Sequence, residues 1–86
     1  MRKRIRTRLV DRMIGAYVDW REACLLVHDA YESWARATGP WARIAFWRYN
    51  AALDAEEHAS EVYAGLVHRV GELAANDADL SGPLAA

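Results

Sequence analysis

The residues whose types could do chemistry gather in the middle of the chain, at Ala51-Ala52-Leu53-Asp54-Ala55-Glu56-Glu57-His58-Ala59-Ser60-Glu61. Carboxylates and histidine at this density suit a divalent metal, because di-iron helical bundles hold their ions with such side chains projecting from facing helices. The set that would serve here is Glu22, Glu57, His58 and Glu61, with Asp19 close to Glu61. Asp54, Glu57 and Glu61 nevertheless fall on the polar columns of a helix, where acids balanced by arginines such as Arg21 and Arg48 are ordinarily solvated. The reading adopted is no metal and no cofactor.

Glu56 stands apart from these acids because its column is otherwise apolar. A carboxylate placed there needs a donor, and the candidates are Ser60, Trp20, Tyr17 and Arg21. Such a group either transfers protons or fixes the register and oligomer state of a helical seam. A lone carboxylate with no matched acid, base or nucleophile does not define an enzyme, so no catalytic residue is assigned.

Six of the nine aromatic residues, Tyr31, Trp34, Trp41, Phe46, Trp47 and Tyr49, lie within residues 31–49, interleaved with Arg36, Arg43 and Arg48. This composition suits a local core with cation–π contacts at its rim, and it also suits a surface for a protein partner. The histidines carry less. His28 is four residues before Glu32, the spacing of a surface ion pair, and His58 and His68 are too far apart on one helix to share a metal.

The basic arm Arg2, Lys3, Arg4, Arg6 and Arg8 contrasts with a formal net charge of −1. Clustered cations suit nucleic acid or an anionic membrane surface, although a solvated and frayed helix start is the simpler reading. Cys24 is the only cysteine, which excludes an intramolecular disulfide and fits a reducing cytoplasm. No signal peptide or spanning segment is recognisable.

These residues must be positioned by helices, since 53% hydrophobic and 27% charged residues, with seventeen alanines, describe a folded and helix-rich chain. With a at Val10, Tyr17, Cys24 and Tyr31 and d at Met13, Trp20, Val27 and Trp34, a first helix over about 5–37 has a fully apolar heptad seam. Beside it runs a stripe of mostly small residues, Leu9, Ala16, Ala23, Ala30 and Ala37. Thr38-Gly39-Pro40 supplies a glycine C-cap and a proline start, hence a tight αα-hairpin. A second helix is expected over about 40–75, apolar across three adjacent columns except at Glu56 and Ser60. Residues 76–86 read as a flexible tail, which leaves one domain over 1–75.

A three-residue turn makes facing residue numbers sum to about 79, so Trp20 should meet Ala59 and Val27 should meet Ala52. Val18, Leu25 and Leu26 lie outside the expected seam, and the second helix is wider than one partner covers. The expected architecture is therefore all-α, an antiparallel two-helix hairpin that dimerises, or assembles further, into a four-helix bundle. Val18, Leu25, Leu26, Trp41, Phe46, Trp47, Leu53 and Glu56 would form the partner or oligomer surface. In architecture such a hairpin is similar to the one-hairpin ferritins, which implies the metal-binding alternative; their Glu-x-x-His is replaced here by the reversed His58-x-x-Glu61. Hairpins of the WXG type share the size and topology, but this turn has no Trp-x-Gly. The functional expectation is a non-catalytic oligomerisation or protein-interaction module.

Overall fold

The structure, a computed structural model, describes the backbone of residues 2–85 and the side chains of residues 4–76. It consists of two antiparallel helices packed against each other, α1 (Arg2–Arg36) and α2 (Pro40–Ala85). Ala37, Thr38 and Gly39 make the connection. Gly39 takes φ 60°, the left-handed conformation that an L side chain resists, and Pro40 occupies the first position of α2, where no N–H is required. The Ala37 amide donates to the Trp34 carbonyl at 3.1 Å and the Ala42 amide to the Gly39 carbonyl at 3.2 Å, closing both helix ends.

Both helices run further than the sequence suggests. α2 continues to Ala85, past the expected end near 75. Ala74, Ala75 and Ala78 favour helix, and no glycine or proline intervenes before Gly82. Helical backbone likewise extends into the basic arm from Arg2. Arg4, Arg6 and Arg8 are exposed there, and the side chains of Arg2 and Lys3 lie outside the described residues.

The seam of α1 keeps the expected d residues Met13, Trp20, Val27 and Trp34 and takes in the small column beside them, with Val10 and Cys24 of the expected a column half-buried at its edge. The wholly or partly buried positions are Leu9, Val10, Met13, Ala16, Trp20, Ala23, Cys24, Val27, Ala30, Trp34 and Ala37. Small and bulky columns thus share the contact, and the expected a residues Tyr17 and Tyr31 lie on its flank, 44% and 50% exposed. The physical reason is size. Alanines let the α2 backbone approach closely, whereas tyrosines at the centre would hold it away. On α2 the corresponding series is Ala42, Ala45, Tyr49, Ala52, Glu56, Ala59, Tyr63, Leu66, Val70 and Leu73, a heptad pattern with Glu56 at its middle and half-buried Ser60 beside it.

The core is thin. Leu9, Ala16, Ala23 and Leu66 are the buried hydrophobic residues among those described. Leu9, Ala16 and Leu66 cluster with Met13, Tyr63, Val70 and Leu73 at the end away from the turn.

Candidate interaction surface

Glu56 is half-buried, and one of its proposed donors engages it. The Trp20 indole Nε1–H donates to Glu56 Oε1 at 2.8 Å. The other candidates are used elsewhere or lie outside: Ser60 Oγ donates to the Glu57 carbonyl at 2.8 Å, Tyr17 packs its ring against Trp20 and Tyr63, and Arg21 is exposed. Serine commonly turns back to its own helix in this way. Trp20 also stacks on Tyr63, at 5.6 Å between ring centroids and 14° between planes. Glu56 and Tyr63 flank Ala59 by one turn on either side, which is the register that a sum near 79 requires.

The same aromatic arrangement occurs twice. Tyr17, Trp20 and Tyr63 form one triad; Tyr31, Trp34 and Tyr49 form another, each residue displaced by fourteen positions, or two heptads. Trp34 stacks on Tyr49 at 5.4 Å and 18°, matching the stack of Trp20 on Tyr63. The tyrosine pairs match as well, with Tyr17 to Tyr63 at 5.5 Å and 56° and Tyr31 to Tyr49 at 5.7 Å and 61°. Within α1, Tyr17 to Trp20 is 6.1 Å and Tyr31 to Trp34 is 6.2 Å, both edge-on. Phe46 extends the second triad, 5.0 Å from Trp34. Cys24 on α1 and Glu56 on α2 stand midway between the triads, one heptad from each. A search for repeats of Tyr-x-x-Trp would have found this in the sequence; heptad columns scored only as apolar conceal it.

The expected partner residues are distributed around the hairpin. Phe46 and Leu53 border the triads, Val18 and Leu25 lie on the outer side of α1, and Leu26 and Trp41 lie towards the alanine side; all are exposed. Trp41 and Trp47 at the turn are 69% and 67% exposed. On the alanine side Ala30, Ser33, Ala37, Trp41, Ile44, Ala45 and Arg48 line a shallow groove of about 280 Å³.

Glu22, Glu57, His58 and Glu61 are all exposed, and among the described residues no group of three or more histidine, cysteine or acidic side chains is placed to hold a metal ion. Asp54 is exposed on α2 as well, and of the acids in this stretch Glu56 alone is half-buried. Surface pairs account for two of the histidines: His28 Nε2 lies 3.1 Å from Glu32 Oε1, and His68 Nε2 lies 2.8 Å from Glu72 Oε1. Arg36 joins the first pair through Glu32 Oε2 at 3.3 Å. Among the described residues no helix is long and apolar enough to cross a membrane.

The chain matches no protein-family model, no curated protein and no solved structure.

Proposed function

We propose that this chain is a non-catalytic oligomerisation and interaction module, whose hairpin pairs with a second copy to complete a four-helix bundle. The observation that carries the reading is the imbalance of its apolar side chains. Fourteen large hydrophobic residues are exposed, against four hydrophobic residues buried, among those described. The accessible surface is 6920 Å². A compact monomer of 9.7 kDa would expose roughly 5,100 Å². The excess, roughly 1,800 Å², comfortably exceeds the ~800 Å² that each partner contributes to a standard interface. A lone half-buried thiol, Cys24, suits a reducing compartment such as the cytoplasm.

Sedimentation at micromolar concentration tests the reading. A mass of twice 9.7 kDa or more is expected, and a well-folded monomer would overturn it.

A second reading rests on Trp41 and Trp47, which project from the turn end beside Arg43 and Arg48. Exposed tryptophans with arginines are the residues that anchor protein interfaces. A further protein would dock at that end of the assembled bundle.

A further inference from the structure

We propose that two copies pair antiparallel through the face bearing the Tyr–Trp–Tyr triads, about a two-fold axis passing close to Cys24 and Glu56. Each triad then lies over the other triad of the second copy. This deepens the self-association reading and rests on it.

Fourteen residues of helix advance about 21 Å, so the two triads are separated by that distance on both helices. Closed two-fold assembly is isologous: the patch must match itself when turned over. A patch carrying one aromatic cluster can do this only by centring on that cluster. A patch carrying two of the same geometry can do it by centring between them, and both clusters are then covered at once. The ring distances and plane angles agree so closely between the triads that each presents the same surface.

Residues outside the triads satisfy the same axis. A half-turn about the midpoint stacks α1 on α1 and α2 on α2, so positions on α1 pair when they sum to about 48, and positions on α2 pair when they sum to about 112. Tyr17 is thereby placed over Tyr31 of the second copy. Phe46 and Val67, 41% and 42% exposed, come within one residue of facing one another. Leu53 falls over Ala59, and Ile14 over the end of the second triad. Apolar groups left wet in the single hairpin acquire apolar neighbours.

The axis itself is the polar point. Glu56 meets its own copy there, each carboxylate already held by a Trp20 indole in its own hairpin. Two facing carboxylates cost affinity and penalise every other register, since a slip would bury either carboxylate under an aromatic triad. Glu56 on this view sets the register of the dimer at the expense of its strength.

The native protein contains its own probe, because Cys24 is the sole cysteine and lies near the axis. Treatment with a bismaleimide whose reach matches the roughly 8–10 Å between packed helices should convert the dimer to a covalent one. The same reagent on Ser33→Cys in a Cys24→Ser background, which probes the alanine side, should leave it uncoupled. Glu56→Gln should lower the dimer dissociation constant several-fold and retain the Cys24 cross-link. A dimer that couples through position 33 and not through Cys24 would overturn the proposed face while leaving self-association standing. A dimer weakened by Glu56→Gln would overturn the role given to Glu56. A folded monomer at tens of micromolar would remove the self-association reading and this one with it.

Discussion

At the residue scale the hairpin turns on one hydrogen bond. Trp20 gives Glu56 a donor in a half-buried position, and Glu56 gives the indole N–H its acceptor. Removing one member leaves the other without its partner, which costs about 1–3 kcal/mol for a buried group, the lower end applying where solvent reaches it. Trp20→Phe should therefore lower stability by about 1 kcal/mol beyond its packing loss, measured by urea denaturation. In the Glu56→Gln background the same change should cost less, since a neutral amide is cheaper to leave unpaired. Glu56→Leu removes the carboxylate altogether and should raise the melting temperature or change the assembly; an unchanged melting point with unchanged mass would sink its role in the seam. The sequence singled out Glu56 and named Trp20 among four donors, but no further selection was available from periodicity. Helical spacing gives the column of a residue, whereas the choice among Trp20, Tyr17, Arg21 and Ser60 depends on side-chain reach and on the alternatives each has, such as the Ser60 bond to its own helix.

At the scale of elements, the two helices and their turn were legible because each rests on a local rule: heptad spacing, a left-handed glycine and an N-terminal proline. Gly39→Ala should cost about 1–2 kcal/mol through φ alone, because nothing lies within 4 Å of the added methyl. Gly15, with open space around it inside α1, should behave in the opposite sense, and Gly15→Ala should stabilise by about 0.5–1 kcal/mol. Thermal melts of the two variants give the comparison directly. The contact face of α1 was legible only to within one column. A heptad of Val10, Tyr17, Cys24 and Tyr31 looks like a better seam than a stripe of alanines if hydrophobicity alone is counted. Backbone approach decides otherwise, since the alanine column admits α2 and leaves the tyrosines to stack from the side. Ala23→Leu tests this. Ala23 is buried in a close-packed contact, so the larger side chain should cost about 1–3 kcal/mol by forcing the helices apart. A neutral or stabilising result in urea denaturation would restore the seam centred on Cys24.

At the scale of the whole molecule the proportions argue for a partner. The hairpin measures 69 × 21 × 13 Å with a radius of gyration of 19.6 Å, whereas a compact chain of this length would have a radius near 12 Å. Its smallest dimension is about the diameter of one helix, so every residue lies within one layer of solvent on two sides. Domains normally bury a face by adding a second layer, and a second hairpin is the layer that this chain can always find. If folding and pairing are coupled in this way, stability must depend on concentration by mass action. A hundredfold increase in protein adds about 2.7 kcal/mol to the assembled state, which for a dimer of this size raises the melting temperature by on the order of 5–10 °C. Melting curves followed by circular dichroism from micromolar concentration upwards would register this shift. A melting temperature independent of concentration, with a sharp transition, would mean that the thin core of Leu9, Ala16, Ala23 and Leu66 suffices by itself, and the exposed triads would then need a different partner.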